Sequence, residues 1–155
     1  VFDHALAGPA VTVLRDYHSE NLMLLGGDTL GLLDFQDALA GHPAYDLVSL
    51  LQDARRDVDE HVEAAMVARY KAATGAGEAF DIAYHVLGAQ RNAKIIGIFT
   101  RLWQRDGKTR YAALCPRVWR YLNRDLEHPA LAPVKAWFDA TIPFELRGDP
   151  MVLAA

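Results

Sequence analysis

The chain has 155 residues, of which 52% are hydrophobic and 23% charged, and its net charge is −4 at pH 7. This length and composition predict one globular domain with a sizeable core. An acidic balance without a dense basic stripe argues against nucleic-acid binding. Cys115 is the only cysteine, so no internal disulfide can form, as suits a reducing cytoplasm.

Neither a membrane span nor a signal peptide is predicted. The main central apolar run, Ile95–Phe99, is far too short to cross a bilayer. The first residues, Val1–His4, show no basic region followed by an apolar segment. They also lack a starting Met, which suggests that the chain is cut from a longer protein.

The first part of the chain predicts β structure. Val11–Leu14 is a short β-prone run. Two apolar runs, Leu22–Leu25 and Leu30–Phe35, flank a plausible turn at Gly26–Asp28. Residues 11–35 are therefore expected to form a small β-hairpin region with functional loops beside it.

From residue 43 onward the pattern predicts helices. Pro43 suits a first helical position, a second helix should end before Gly75, and a third should end at Gly107. The helical segment Tyr111–Leu126 should break or restart at Pro116, which cannot donate a helix hydrogen bond. The predicted inner stripes are Leu47, Leu50, Leu51 and Ala54 in the first helix, Val62, Ala65, Met66 and Tyr70 in the second, and Phe80, Tyr84, Leu87, Ile95, Ile98 and Leu102 in the third.

A last helix is expected around Val134–Ala140, among several prolines. The predicted fold class is α+β and mostly α, with a small β-hairpin region over residues 11–35 followed by a helical body. Trp103, Trp119 and Trp137 are predicted to belong to the core.

Three polar residues of the β region have the spacing of a magnesium–nucleotide phosphotransfer site. Asn21 follows Asp16 by five residues, and Asp34 comes after the hairpin. Asp16 could orient an acceptor hydroxyl and accept its proton, while Asn21 and Asp34 offer the oxygen ligands that magnesium prefers. His18 could donate a hydrogen bond to the transferring phosphate. The Asp-x-x-x-x-Asn pattern is weak alone, and the Leu-Leu-Asp-Phe run around Asp34 raises its specificity.

Four runs of residues resemble the C-terminal lobe of the aminoglycoside phosphotransferase and choline kinase family, which shares the protein-kinase-like fold. Leu14–Met23 and Leu32–Ala38 carry the resemblance to the wide family. Tyr45–Leu51 and Gln90–Phe99 resemble one subgroup, the bacterial anomeric kinases of N-acetylmuramate and N-acetylglucosamine that act in cell-wall recycling.

This resemblance implies ATP-dependent phosphoryl transfer to a small-molecule hydroxyl, with ATP and Mg²⁺ as cofactors. The acceptor would be a sugar or amino sugar, or an aminoglycoside-like molecule, in the cytoplasm. By the resemblance, Asp16 is the catalytic base and Asn21 and Asp34 bind magnesium. His18 stands where protein kinases use a lysine near the γ-phosphate, and Asp46 matches an aspartate that braces the catalytic loop.

Two features depart from the family pattern. Leu14 stands where many relatives have a histidine. In addition, the chain has neither a Gly-x-Gly-x-x-Gly loop nor an assignable strand lysine with a helix glutamate. The family places these in an N-terminal lobe, and its adenine-binding hinge should lie just before Val1. Residues 1–155 are thus expected to form only the catalytic and substrate lobe, which would be inactive alone and would need that N-terminal lobe as partner.

Two further residues stay open between a binding and a structural role. Asp37 is a candidate for substrate contact or for capping a turn. Arg91 lies on the apolar stripe of the third helix, where a cation usually has a carboxylate partner. A structural ion pair and a substrate contact are its alternatives. The charge run Asp53–Glu60 is predicted to be a solvated helix end and turn.

Other functions also fit the residues. The missing nucleotide lobe and Leu14 would suit a non-catalytic, partner-binding or degenerate kinase lobe. The carboxylate count also permits a hydrolase with Asp34, Asp37 and His18 around a metal. A zinc site with His18 and His42 is a weaker reading, because no His-x-x-x-His or cysteine pairing supports it. No nucleic acid or membrane partner is predicted.

Overall fold

The computed structural model describes Gly8 and residues 10–154, so the first residues, on which the signal-peptide prediction depends, lie outside the described part. The strands in this part are β1 (Val11–Val13), β2 (Leu22–Gly26), β3 (Thr29–Leu32) and β4 (Leu39–Gly41). The helices are α1 (Ala44–Leu51), α2 (Glu60–Thr74), α3 (Glu78–Asp106), α4 (Thr109–Ala112), α5 (Cys115–Leu126), α6 (Ala132–Thr141) and α7 (Pro150–Leu153). Short 3₁₀ turns cover Ser19–Asn21, Pro129–Leu131 and Phe144–Leu146. The expectation of a small strand region followed by a mostly helical body is confirmed.

The strands form two antiparallel pairs. β2 and β3 make the predicted hairpin, with Leu22 opposite Leu32, and the chain reverses where Gly26 and Gly27 adopt positive φ. β1 pairs instead with β4, which places Val13 opposite Leu39. β4 was not predicted, because three residues are too few for a periodic signal and their partner strand is distant in sequence.

The helix boundaries follow the glycine and proline signals. Gly75 and Gly107 cap α2 and α3 in the left-handed conformation, as predicted. Pro116 stands in the first turn of α5, after a break from α4. Pro43 precedes α1 as its cap residue rather than as its first helical residue.

The inner face of α2 differs from the prediction. Val62 is 51% exposed and Met66 37%, whereas Glu63 is buried. The Glu63 carboxylate accepts hydrogen bonds from Gln52 Nε2 at 3.1 Å and from the Tyr84 hydroxyl at 2.9 Å. Tyr70 of the predicted stripe does pack on Phe80, with ring centroids 5.0 Å apart, so the predicted inner face is wrong in the first half of α2, where Glu63 faces the helical body.

The core is built around α3, the longest helix of the described part. Its first half packs against α1, with Val48, Phe80 and Tyr84 buried together. From Val86 onward it also packs against α5, where Trp119 and Leu122 are buried. The prediction that all tryptophans lie in the core is wrong for Trp137, which is 56% exposed on α6.

Among the helices in residues 10–154, including the long α3, none has the combination of length and apolar character needed to cross a bilayer.

Candidate active site

The loop between β1 and β2 carries three of the predicted site residues, Asp16, His18 and Asn21. It is tightly folded: Asp16 N donates to Leu14 O at 2.9 Å, and His18 N donates to Asp16 O at 3.1 Å. The Ser19–Asn21 turn then leads into β2. Asp16 itself is exposed. We call residues 14–21 the catalytic loop, after the role that the family resemblance predicts for Asp16.

Asp46, in the first turn of α1, holds the start of the catalytic loop. Its Oδ2 accepts a hydrogen bond from Leu14 N at 2.6 Å, and its Oδ1 accepts one from Arg15 N at 3.0 Å. Arg15 has a φ of 71°, in the left-handed region. Since hydrogen bonds to an ionised acceptor are stronger than neutral ones, this carboxylate is suited to hold an unfavourable backbone conformation.

Asp53 holds the second half of the same loop, and the sequence analysis missed it. Its Oδ2 accepts hydrogen bonds from Ser19 Oγ at 2.8 Å and from Ser19 N at 3.3 Å. Asp53 is only 1% exposed, and Ala54 is also buried, so the predicted solvated charge run 53–60 is wrong for its first two residues. The signal for burial was the position directly after α1, where Leu51 already faces the core.

The strand register brings Asn21 and Asp34 to the same end of the hairpin. Leu33 N donates to Asn21 O at 3.0 Å, which extends the pairing of β2 with β3 by one step. Asn21 Nδ2 donates to Asp16 O at 2.8 Å. The amide nitrogen is thus used inside the loop, and Asn21 Oδ1 makes no hydrogen bond to the described residues.

Asp34 has a φ of 56° and follows the end of β3. Its Oδ1 accepts a hydrogen bond from Gln36 Nε2, and its Oδ2 makes no hydrogen bond to the described residues. One amide oxygen and one carboxylate oxygen are a donor set that suits Mg²⁺, which usually takes one or two protein ligands and completes its shell with water and phosphate. Within residues 10–154 no group of three or more His, Cys, Asp or Glu side chains is arranged to hold a metal ion.

His18 is buried within the catalytic loop. Desolvation, followed by the nearby charge of Arg55, lowers its pKa, so the imidazole is neutral at pH 7. Its Nε2 lies 3.4 Å from Asn21 Nδ2, a donor, and therefore acts as acceptor. The ring proton then sits on Nδ1, which has no hydrogen-bond partner among the described residues.

Arg91 and Asp37 lie in different surroundings. Arg91 is 6% exposed, and among residues 10–154 no carboxylate comes within 4.0 Å of its guanidinium, so the expected ion pair is not formed there. It donates to Gln52 O at 3.5 Å. Burial lowers its pKa, while Tyr45, Asp53 and Asp16 act in the opposite direction. Asp37 is exposed in a turn before β4.

A buried polar network connects this region to the helical body. Gln52 Nε2 donates to Asp125 Oδ1 at 3.0 Å, and Asn92 Nδ2 donates to Gln52 Oε1 at 2.6 Å. Burial raises the pKa of Asp125, whose Oδ1 also lies 3.1 Å from His85 Nδ1. Because Gln52 precedes Asp53, the network fixes the segment that holds Ser19. Its members come from the end of α1, from α3 and from α5, and no local pattern could have grouped them.

Besides a cavity of about 270 Å³ that meets residues 14–21 only at Arg15, two cavities bear on the candidate site. One, of about 360 Å³, is lined by Glu20, Arg55, Arg110, Tyr111 and Leu114 and therefore borders the catalytic loop. The other, of about 410 Å³, lies between α2, α3 and α5 and has no residue of that loop in its wall. Neither cavity was predicted from the sequence.

Comparison with known proteins gives a consistent result. The sequence profile of the phosphotransferase enzyme family matches residues 1–82. An N-acetylmuramate/N-acetylglucosamine kinase of Caulobacter vibrioides is 52% identical over 139 residues, which are 86% of this chain and 38% of that protein. The enzymes of the same name from Neisseria meningitidis and Pseudomonas aeruginosa are each 46% identical, over 84% and 77% of this chain and 42% and 37% of their own lengths.

The chain thus spans about two fifths of the curated relatives that it matches. The matched family region contains Asp16, Asn21 and Asp34 together with Asp46 and Asp53, so it includes both the candidate site and the carboxylates that hold its loop. The chain belongs to the phosphotransferase enzyme family.

Proposed function

We propose that this chain is the catalytic and acceptor-binding lobe of an ATP-dependent kinase that phosphorylates a hydroxyl group of an amino sugar. The observation that carries the proposal is the convergence of Asp16, Asn21 and Asp34. Asn21 contacts the Asp16 backbone through its amide nitrogen, and strand pairing sets it beside Asp34. The relatives named as N-acetylmuramate/N-acetylglucosamine kinases support an amino sugar as acceptor.

In this proposal Asp16 is the catalytic base. Its carboxylate is exposed at the catalytic loop, so an acceptor hydroxyl can approach it. Asp16 orients that hydroxyl and takes its proton as the oxygen bonds to the γ-phosphorus of ATP, and the bond to the leaving ADP oxygen breaks. Positioning of this kind supplies much of the rate enhancement of a phosphoryl transfer.

Asn21 Oδ1 and Asp34 Oδ2 are the atoms that would hold Mg²⁺. The metal, when bound, neutralises phosphate charge as the leaving group departs. Asp46 and Asp53 keep the catalytic loop in register through the backbone of Leu14, Arg15 and Ser19. His18, for which the family resemblance implied a contact to the transferring phosphate, would have to turn its Nδ1 proton out of the buried loop to donate it.

In this proposal the rest of the nucleotide-binding site is formed by an N-terminal lobe outside residues 1–155. An apolar surface supports this view, because large side chains of β2, β3 and the segment that follows are exposed. The surface consists of Met23, Leu24, Leu25, Leu30, Leu32, Leu33 and Phe35. Because side chains alternate along a strand, these residues lie on both faces of the hairpin, and exposed apolar side chains in this number usually mark a contact with another part of a protein. The protein would act in the cytoplasm, in cell-wall recycling, without a nucleic-acid or membrane partner.

The test is the Asp16→Asn variant of the full-length protein, assayed by ADP release with N-acetylmuramate and with N-acetylglucosamine. Removing the base should lower kcat by roughly 10²- to 10⁴-fold for both acceptors. Asp28→Asn, in the exposed hairpin turn, is the matched control and should retain the normal rate. An Asp16→Asn enzyme that phosphorylates either sugar at the normal rate would refute the catalytic role.

A further inference from the structure

The cavity lined by Glu20, Arg55, Arg110, Tyr111 and Leu114 borders the catalytic loop, because Glu20 belongs to that loop. Glu20 lies in the Ser19–Asn21 turn, directly before the residue that donates to Asp16 O. The opposite wall comes from Arg110 and Tyr111 of α4 and from Leu114, and Arg55 closes one side. A molecule in this cavity would therefore lie against the catalytic loop. Its volume, about 360 Å³, is in the range of small-molecule sites.

Positive charge is in excess in this cavity. Two guanidinium groups face one carboxylate, and Arg55 Nε already pairs with Glu20 Oε2 at 3.1 Å. Arg110 has no carboxylate within 4.0 Å among residues 10–154. Its NH2 donates to the Tyr111 hydroxyl at 3.0 Å, and its guanidinium carbon lies 4.9 Å from the centre of that ring. Arg110 is thus oriented by a neutral group and keeps its charge available.

Tyr111 gives the cavity a fixed apolar wall. Its ring is partly buried and packs on Phe99, with ring centroids 5.1 Å apart. Leu114 continues this apolar surface towards the buried Cys115. Apolar surface with a few placed polar groups is the usual composition of a site for a small organic molecule. The wall can pack against the carbon face of a sugar ring while the guanidinium groups face its substituents.

The larger cavity between α2, α3 and α5 has the opposite character. Its cations are already paired, Lys71 with Asp81 and Arg124 with Glu63. Glu60 adds a further carboxylate to the wall, so acidic groups outnumber basic ones. An anion would be repelled there, and no residue of the catalytic loop is within the wall. This cavity is therefore excluded as a site for an acidic acceptor.

We propose that the cavity of Glu20, Arg55, Arg110, Tyr111 and Leu114 is the acceptor subsite, and that Arg110 binds a carboxylate substituent of the acceptor sugar. The planar guanidinium suits a carboxylate because it can donate two parallel hydrogen bonds. This inference rests on the proposed function, since it assigns the substrate of the same catalytic loop. It implies that Arg110 favours a sugar acid over a neutral amino sugar, while Glu20 and Tyr111 serve both.

The experiment compares N-acetylmuramate, which carries a carboxylate, with neutral N-acetylglucosamine in the full-length protein. Arg110→Met should lower kcat/KM for N-acetylmuramate by roughly 10- to 100-fold, mainly through KM, and leave N-acetylglucosamine within about twofold. Tyr111→Phe, which removes the hydroxyl that orients Arg110, should give a smaller loss in the same direction. Arg101→Met, an exposed arginine of α3 outside the cavity, controls for net charge and should change neither value.

An equal loss with both sugars would overturn the inference, because Arg110 would then act on the loop rather than on a carboxylate. Unchanged kinetics with N-acetylmuramate would overturn it as well. Calorimetric titration with N-acetylmuramate separates this result from failure of the proposed function. If neither sugar is phosphorylated but N-acetylmuramate binds, and Arg110→Met weakens that binding, then the subsite stands and the proposed reaction falls.

Discussion

Two residues at the candidate site have left-handed backbone: Arg15, directly before Asp16, and Asp34, which is itself a site residue. Among residues 10–154 they are the only residues other than glycine with positive φ. Such a conformation costs about 1–2 kcal/mol for a residue with a β-carbon, so it persists only where neighbouring contacts hold it. At Arg15 the holding group is visible: the backbone N–H donates to Asp46 Oδ1.

Asp46→Asn should therefore weaken the catalytic loop. An amide replaces one of the two acceptor oxygens with a donor that faces a backbone N–H, and the charge of the remaining acceptor is lost. We expect the free energy of unfolding to fall by about 1–3 kcal/mol. The measurement is urea denaturation followed by circular dichroism. In the full-length protein the same variant should lower kcat more than it raises KM for ATP, because Asp16 loses its fixed position.

The matched control for this change is Asp59→Asn, which also alters an aspartate that accepts a backbone hydrogen bond, from His61 N at 2.8 Å. Asp59 caps α2 away from the loop, and asparagine is as good a cap residue as aspartate. Its free energy of unfolding should change by less than about 0.5 kcal/mol. Equal stability of the Asp46→Asn and Asp59→Asn proteins would show that Asp46 does not hold the loop.

At the scale of elements, α3 contains two glycines in opposite surroundings. A β-carbon at Gly88 would lie 2.5 Å from Asp125 Oδ2, whereas one at Gly97 would meet nothing within 4 Å. Asp125 is fully buried and accepts hydrogen bonds from Gln52 and Asn92, so it has little room to move. Gly88 is thus required by the close approach of α5, while Gly97 only lowers helix propensity.

Gly88→Ala should lower the free energy of unfolding by about 1–3 kcal/mol, since the added methyl group displaces a buried carboxylate from its network. Gly97→Ala is its control and should raise the free energy of unfolding by about 0.5–1 kcal/mol, the usual gain of alanine over glycine in a helix. Both free energies are measured by urea denaturation followed by the circular dichroism of the helices. Shifts of the same sign in the two variants would contradict the close packing of α3 on α5.

Element boundaries were the part of the fold that the sequence predicted well. Gly75, Gly107 and Pro116 mark helix ends for local reasons, namely left-handed backbone or a missing N–H, and local reasons are readable from sequence. The rotation of α2 was mispredicted because its buried residue is Glu63, whose partners lie on other helices. Strand β4 was missed because its pairing with β1 is entirely non-local.

At the candidate site, too, features set by nearby residues were predicted and features set by distant contacts were not. Asp16, Asn21 and Asp34 lie in two short runs, so their spacing along the chain was enough to predict them as site residues. Their convergence depends on the hairpin register, which was also predictable from Gly26 and Gly27. Asp53, which anchors the loop, and Arg110, which borders the cavity, are far apart in sequence from Asp16. Apart from the position of Asp53 directly after α1, nothing in a single sequence distinguishes them from ordinary surface charges.

At the scale of the whole molecule, the described residues have an uneven surface. The helical body buries a core around α3 and exposes single apolar side chains such as Trp137 and Val152, whereas nearly all large side chains of the hairpin and the segment after it are exposed; Leu24, for example, is 83% exposed and Phe35 60%. If both faces of this hairpin were in contact with solvent in the full-length protein, most of its exposed side chains would be expected to be polar. The proposed N-terminal lobe is the part of the same protein that would cover it, beside the loop to which the proposed function assigns the nucleotide.

The double change Leu24→Ser and Phe35→Ser should therefore act differently on the 155-residue chain and on the full-length protein. In the 155-residue chain it should reduce binding of a hydrophobic dye and leave the melting temperature within about 2 °C, since the side chains contact little. In the full-length protein it should lower the melting temperature by several degrees, because buried apolar contacts between lobes are lost. Val152→Ser, which alters a 74% exposed side chain near the C-terminus, is the control and should behave alike in both contexts. An unchanged melting temperature of the full-length double variant would mean that the hairpin surface is not where the lobes meet.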